Sequence, residues 1–283
     1  MIIYSMLKRT VSAVAGAGIA AFVVLATTAD ADANGSNGLA DSLSWKRNLR
    51  FRGTNGFWGD QEWYDLQMER RIPETTLVLQ ELIYALPPLQ DGEIADIGAG
   101  TGRSALAMLS AYPRVQLTLL DADAKRGKVA LERLRDAHAR HNSHNELSSE
   151  RHRFIQWQAN LDYFVLPPPA GERKTLTSKY DAVVAVQAIR HIVAPPAHYA
   201  DKNASRPPPE TEADIDEGYA LVLRGIYASL KPGGHFLMGD HTHPSHPGVF
   251  RHLELLKEAG FTDVDVAWAY REWFVVGARR PLE

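Results

Sequence analysis

The strongest constraint on the fold is a regular alternation of short apolar, strand-like segments with helix-like segments along the second two thirds of the chain. It begins at EIADIGAGTGRSALAML, residues 93–109, where a strand runs into a glycine loop and then a helix. Alternation with short connections is typical of an α/β protein with a doubly wound parallel sheet. The last two segments, DVDVAWAY and EWFVVGARR, are separated only by Arg271, which is too short for a crossover. The seven strand-like segments therefore predict a mostly parallel seven-stranded sheet that ends in an antiparallel hairpin.

The first part of the chain has a different composition. Residues 1–33 place Lys8 and Arg9 before an apolar run and then A-x-A patterns, an order typical of a secretory signal. The apolar run, within residues 11–27, is shorter than the ~20 residues that a membrane span needs. We expect residues 1–33 to be signal- or anchor-like, with a membrane tether through residues 11–27 as one alternative. Residues 34–56, rich in Gly, Ser and Asn, are interpreted as a linker.

Residues 57–90 are predicted to form an N-terminal helical cap, and residues 91–283 the α/β domain. An aromatic cluster around the start of the cap is predicted to form a helical lid that excludes water from a ligand, the alternative being a helix that packs its aromatic face on the domain. Its members are Phe51, Arg52, Phe57, Trp58, Trp63 and Tyr64. A proline-rich insertion at residues 194–214 either flanks the ligand crevice or is a surface loop.

The glycine loop fits two kinds of ligand. Gly98, Gly100 and Gly102 follow a strand that carries Asp96, and glycines let a ligand approach the backbone closely. The free amides of the next helix suit an anion, so the relaxed dinucleotide pattern and S-adenosylmethionine both remain open. Asp96 would repel a pyrophosphate but attract the ammonium of S-adenosylmethionine, by roughly 4 kcal/mol at about 4 Å and an effective dielectric constant near 20. This charge favours S-adenosylmethionine.

Asp121 ends the next strand, in LTLLDAD. Its carboxylate is placed to accept hydrogen bonds from both ribose hydroxyls of either cofactor, so it supports the fold without discriminating between the two ligands. The alternative role is a helix cap, for which Asp123 is the better candidate.

Five motifs in order give the chain its clearest resemblance, to the class I S-adenosylmethionine-dependent methyltransferases. They are EIADIGAGTG, the acid Asp121, YDAVVAVQAIRHI, SLKPGGHFLMGDH and the closing HLELLKEAGFTDVDVAWAYREWFVVGARR. The resemblance covers residues from about 90 to the C-terminus. It implies a Rossmann-like domain that binds S-adenosylmethionine through Asp96, the glycine loop and Asp121.

Two further cofactor contacts follow from that resemblance. Gln187 stands at the end of the fourth strand, where the family contacts the methionyl part of the cofactor. After the third strand the family often has Gly-Asp, whose carboxylate accepts the adenine amino group, whereas this chain has Asn160 near that position and Asp162 two residues later. An amide oxygen can accept the same bond, so Asn160, Leu161 and Asp162 all remain candidates.

The candidate catalytic residues are His191, Asp240 and His241. A base is needed only if the acceptor loses a proton, and histidine suits that task near neutral pH. His191 follows the fourth strand and has packing beside the cofactor as its alternative role. Asp240 and His241 end the fifth strand, at the sheet edge where such folds keep their chemistry. The nearby His243 and His246 raise the question of a metal, but prolines interrupt the segment and no metal is predicted.

Composition limits the classes of partner and of chemistry that the chain can use. A net charge of −3 argues against nucleic acid, and the absence of cysteine excludes disulfides and thiolate chemistry. The sequence predicts a methyltransferase with a small-molecule O- or N-acceptor. The competing functions are a nicotinamide-dependent oxidoreductase and a non-catalytic S-adenosylmethionine-binding protein. Because S-adenosylmethionine is kept in the cytosol, we expect a cytoplasmic catalytic domain, with tethering or export as the alternative. The oligomeric state is not predicted.

Overall fold

The computed structural model describes residues 61–141, 152–169, 179–195, 209–243 and 246–283. The chain divides into two units, residues 1–70 and residues 71–283. Helix α1 spans Gln61–Arg71, within residues 57–90, which were predicted to be helical.

Several predictions fall outside the described residues. They concern the signal- or anchor-like segment 1–33, the linker 34–56, most of the insertion 194–214, and the aromatic cluster except for Trp63 and Tyr64, which lie in α1. No helix within the described residues is long and apolar enough to cross a membrane.

The second unit alternates strands and helices as the sequence predicted. Its elements are α2 (Glu74–Ala85), β1 (Glu93–Ile97), α3 (Arg103–Ala111), β2 (Gln116–Asp121), α4 (Ala124–His141), β3 (Arg153–Gln156), β4 (Tyr180–Val186), α5 (Ile189–Val193), α6 (Glu212–Ser229), β5 (Leu230–His241), α7 (Val249–Glu258), β6 (Thr262–Tyr270) and β7 (Trp273–Arg279), with a 3-10 turn at Leu161–Tyr163.

The strands form one seven-stranded sheet in the order β3-β2-β1-β4-β5-β7-β6. The pairs from β3 to β5 are parallel, and β7 pairs antiparallel with both β5 and β6. The predicted fold class, including the C-terminal hairpin, is therefore confirmed. Strand order reverses between β1 and β4, so the crevice beyond their carboxyl ends is the switch point at which such sheets bind ligands.

Helices cover both faces of the sheet. Helices α2, α3 and α4 contact one another in one layer, and α5, α6 and α7 form the other. The core between the sheet and the second layer includes Tyr219 of α6, Phe236 of β5 and Phe274 of β7, each at most 1% exposed. Burying a side chain of this size contributes roughly 1.5–3 kcal/mol, which holds the strand ends in fixed register.

Three strand boundaries differ from those that the sequence patterns predict. The segment RFIQWQAN predicts a strand over residues 153–160, but β3 ends at Gln156 and the 3-10 turn begins at Leu161. β4 ends at Val186, because the next residue, Gln187, has a φ of +53° and leaves the extended conformation. β5 begins at Leu230, since the Lys-Pro-Gly-Gly stretch bulges within the strand and does not precede it.

Candidate active site

The candidate site residues gather at the carboxyl edge of the sheet. Asp96 lies near the end of β1, Asp121 ends β2, Gln187 follows β4 and Asp240 lies near the end of β5. The parallel pairing of β1 with β2 and β4, and of β4 with β5, aligns these ends. The topology therefore places the predicted cofactor residues and the predicted catalytic residues along one crevice.

The glycine loop is shaped by close packing at both ends and is open in the middle. A Cβ at Gly98 would lie 2.5 Å from the Cβ of Ala188, and one at Gly102 would lie 2.9 Å from the Cβ of Ala130. At Gly100, whose φ is +53°, the nearest atom to a Cβ would be 3.9 Å away. The free space above Gly100 lets a ligand reach the loop backbone.

Asp96 is fully buried beneath this loop. Its Oδ2 accepts a hydrogen bond of 2.5 Å from the hydroxyl of Ser104 in α3, and its Oδ1 has no partner among the described residues. Burial raises the pKa of Asp96 to about 7; the hydrogen bond from Ser104 opposes this shift, and the nearby charge of Asp121 adds to it. A carboxylate with one unpartnered oxygen in such a place is poised to bind a cation.

Two backbone amides, one from the glycine loop and one from the residue just before α4, hold the carboxylate of Asp121 in place. Its Oδ2 accepts from the amide of Gly100 and its Oδ1 from the amide of Asp123, both at 2.8 Å. Burial raises the pKa of Asp121, against the lowering effect of these two bonds. Asp123 caps α4, because its Oδ1 accepts from the amides of Lys125 and Arg126. The capping role thus belongs to Asp123, and Asp121 links β2 to the glycine loop.

Asn160 uses its side chain locally. Its Oδ1 accepts a 2.7 Å bond from the amide of Asp162 and caps the 3-10 turn after β3. Contact with adenine therefore stays a prediction for Asn160, and Leu161 and Asp162 in the same turn stay as alternatives.

Gln187 is a strained residue at the switch point. Its left-handed backbone costs roughly 1–3 kcal/mol for a residue other than glycine. Its amide nitrogen donates to the carbonyl of Gly239, whereas its Nε2 is buried with no partner among the described residues. Its Oε1 accepts a 3.3 Å bond from Arg190. Strain together with a buried, unpartnered donor is typical of a ligand-binding position.

Arg190 is the residue that the sequence analysis missed. Its Nη1 donates to Asp240 and lies 2.9 Å from Nδ1 of His241, and its Nε donates to Nε2 of His191 at 3.3 Å. Together with the bond to Gln187, all three guanidinium nitrogens are engaged. In the sequence, Arg190 stands between two candidate site residues, Gln187 and His191. However, α5 has only five residues, too few to show a helical period from which the direction of Arg190 could be predicted.

Asp240 is ionised and held in place by its neighbours. Burial would raise its pKa, but hydrogen bonds from His241 and the charge of Arg190 outweigh that effect and hold the pKa below its usual range. The side chain is 2% exposed. Asp240 is therefore suited to orient Arg190 and His241, and unsuited to take up a proton.

A pocket of about 330 Å³ opens beside this cluster. Arg190, His191 and His241 line it, together with Val193, Ala194, Ile215, Tyr219, His243 and His246. The sequence thus predicted two of its polar residues as catalytic candidates, and Asp240 lies directly behind them.

The histidines of the pocket differ in environment. Desolvation and the neighbouring Arg190 lower the pKa of His191; the residue is exposed, so water weakens the shift, but its direction favours a neutral ring. Burial and the charge of Arg190 lower the pKa of His246 to about 4, although Asp240 opposes this shift. The rings of His241, His243 and His246 lie 5.2–6.2 Å apart. Among the described residues, no three side chains are arranged to bind a metal ion.

Comparison with known proteins identifies the family. A family described as "Methyltransferase domain" matches residues 64–274, which is most of the chain. The chain belongs to this family. This membership and the sheet topology confirm the resemblance found in the motifs, to the class I, Rossmann-like, S-adenosylmethionine-dependent methyltransferases.

Individual relatives are distant. The ribosomal RNA small subunit methyltransferase H of Helicobacter pylori is 34% identical over 67 residues, 24% of this chain and 22% of that protein. The match thus spans about a fifth of that relative's length. Human N-acetylserotonin methyltransferase, solved with S-adenosylmethionine, is 16% identical with a TM-score of 0.47, over 80% of this chain and 58% of that one.

A third structure supports the fold alone. A Nostoc punctiforme protein with a provisional O-methyltransferase assignment is 15% identical, with a TM-score of 0.50, over 78% of this chain and 58% of that one.

Proposed function

We propose that this methyltransferase transfers the methyl group of S-adenosylmethionine to an oxygen or nitrogen atom of a small molecule bound in the pocket of Arg190, His191 and His241. The observation that supports the cofactor half is a buried carboxylate, Asp96, with a partly buried one, Asp121, beside the glycine loop. Together they fit a ligand with an ammonium and ribose hydroxyls, whereas Asp96 would repel a pyrophosphate.

The residues present fit the cofactor at four points. The unpartnered Oδ1 of Asp96 is available for the ammonium, the carboxylate of Asp121 for the ribose, and the open face of Gly100 for the backbone approach. Gln187 offers an unpartnered Nε2 to the methionyl part. When bound, S-adenosylmethionine supplies a methyl group on a positively charged sulfur, ready for in-line displacement.

The residues that line the acceptor pocket are proposed to act mainly by positioning the acceptor. Holding the acceptor in line with the methyl group supplies most of the acceleration in such a displacement. Where a hydroxyl must lose its proton, His241 is the candidate base, because Asp240 lies 3.1 Å from its Nδ1 and leaves Nε2 for the acceptor. His191 is less suited to this role, because its Nε2 already accepts from Arg190.

Titration calorimetry tests this proposal first. S-adenosylmethionine and S-adenosylhomocysteine should bind with one site, and NAD should bind at least 100-fold more weakly. Tight NAD binding would favour the oxidoreductase alternative. Release of labelled methyl groups to fractionated small molecules then separates an enzyme from a non-catalytic binding protein, and labelling of ribosomal RNA in the same assay would overturn the small-molecule acceptor.

We also propose that the catalytic domain works in the cytosol, where its cofactor is found. The experiment is fractionation of cells that express the full chain, followed by external protease. The domain should be protected, whereas a mature form cleaved after Ala31 or Ala33 outside the cytoplasm would overturn this localisation.

A further inference from the structure

Tyr219 is the most deeply buried polar group on the wall of the pocket. It lies on α6 with 1% of its surface exposed, and its hydroxyl has no hydrogen-bond partner among the described residues. The neighbouring His252 does not provide one, because its ring meets the Tyr219 ring edge-on, with centroids 5.1 Å apart. A buried hydroxyl without a partner is costly, and phenylalanine would fill the same space without this cost.

The charges around the pocket limit what the hydroxyl can bind. Arg190 contacts Gln187, His191, Asp240 and His241 through all three guanidinium nitrogens, which leaves a single N–H of Nη2 unused for a ligand. Burial and the charge of Asp240 raise the pKa of Tyr219, so the group stays a neutral hydroxyl that can both donate and accept. Asp240 in turn compensates the charge of Arg190, so the pair has little net charge with which to attract an anion.

A second unpartnered atom lies on the same pocket. Nδ1 of His246 is buried and has no partner among the described residues. The pocket also has an apolar part to its lining, formed by Val193, Ala194 and Ile215. An apolar body with a neutral hydrogen-bonding group at its end would complement this surface.

Resting on the proposed function, we propose that Tyr219 anchors the acceptor by a hydrogen bond to an uncharged hydroxyl group, so that the substrates are neutral hydroxylated molecules and not carboxylates or phosphates. Tyr219 is thereby a specificity-determining residue. It fixes one end of the acceptor while the reacting atom faces the cofactor.

The test uses the full chain saturated with S-adenosylhomocysteine and three small probes, phenol, toluene and benzoate, whose dissociation constants are measured by ligand-detected NMR. Phenol should bind more tightly than benzoate. Tyr219→Phe should weaken phenol at least fivefold relative to toluene. Tyr227→Phe, on the same helix but packed against Phe261, is the matched control and should leave the phenol-to-toluene ratio unchanged.

Thermal unfolding separates this role from a structural one. Because the hydroxyl has no partner among the described residues, Tyr219→Phe should melt at the same temperature as the parent or higher. Tyr180→Phe should melt lower, because the Tyr180 hydroxyl donates to the carbonyl of Pro167 at 2.5 Å. A lowered melting temperature for Tyr219→Phe, an unchanged phenol-to-toluene ratio, or tighter binding of benzoate would each overturn the proposal. Failure to bind S-adenosylhomocysteine would instead count against the proposed function.

Discussion

At the scale of single residues, Asp96 makes cofactor binding dependent on pH. Its pKa of about 7 reflects burial without a cation, and the ammonium of S-adenosylmethionine would lower it. Binding should therefore release a proton, and affinity should rise between about pH 5 and pH 7, then fall again as the ligand's α-amino group deprotonates near pH 8. Calorimetry in buffers of different ionisation enthalpy measures both effects.

Asp96→Asn is the matched variant for that measurement. It should weaken S-adenosylmethionine binding by about 1–3 kcal/mol and flatten the rising limb of the pH profile. A dissociation constant and a pH profile equal to those of the parent would show that Asp96 does not contact the ammonium.

The same substitution should stabilise the cofactor-free protein. Because the pKa of Asp96 is raised on folding, the group is protonated in both states below about pH 4 and costs no stability there. Between about pH 4 and pH 7 the unfolded chain ionises at this residue and the folded chain resists ionisation, so stability falls over that range and levels off above pH 7. Urea unfolding should find Asp96→Asn more stable by on the order of 2 kcal/mol at pH 7.5 and equal at pH 4. A destabilised variant at pH 7.5 would contradict this sign.

Asp121 should act on the adenosyl part of the ligand. Asp121→Asn keeps the shape of the side chain but removes its charge, so binding of S-adenosylhomocysteine should weaken by about 1–3 kcal/mol. Asp123→Asn is the control, since asparagine caps a helix as well as aspartate does. Equal affinity losses in the two variants would reassign Asp121 to a structural role.

At the scale of elements, two glycines of the same loop are expected to have different roles, Gly100 in ligand binding and Gly102 in folding stability. Alanine at Gly100 or at Gly102 forces a positive φ on a side chain, at roughly 1–2 kcal/mol. At Gly102 the new Cβ also meets α4, 2.9 Å from the Cβ of Ala130, whereas at Gly100 it projects into open space. Gly102→Ala should therefore lose more stability in urea unfolding, and Gly100→Ala more affinity for S-adenosylmethionine. The reverse order would contradict the open face of the loop.

The elements also show where sequence reasoning succeeds. Periodic apolar segments and turn residues predicted every strand of the sheet and the antiparallel hairpin, because each pattern is local. The left-handed Gln187 and the short helix α5 were not predicted, since no residue before them marks the change. The motif SLKPGGHFLMGDH likewise does not show that Lys231 donates to both oxygens of Asp181, beside an irregularity in the pairing of β4 with β5.

At the scale of the whole molecule, the site depends on elements distant in sequence. The cofactor residues follow β1 and β2, and the pocket is formed after β4 and β5 and by α6. Asp240 and His241 could be proposed from their place at a strand end. Arg190 joins them from 50 residues away, and Tyr219 from a helix face that looks purely apolar in sequence. Such contacts arise from tertiary packing and have no local pattern.

A structure of the full chain with S-adenosylhomocysteine would show whether the cofactor and the acceptor pocket meet as proposed. We expect the amino group of the ligand at Asp96, its ribose at Asp121, and its sulfur facing the pocket lined by Arg190, Tyr219 and His241. A ligand bound away from the glycine loop, or one whose sulfur points away from that pocket, would show that this arrangement is wrong.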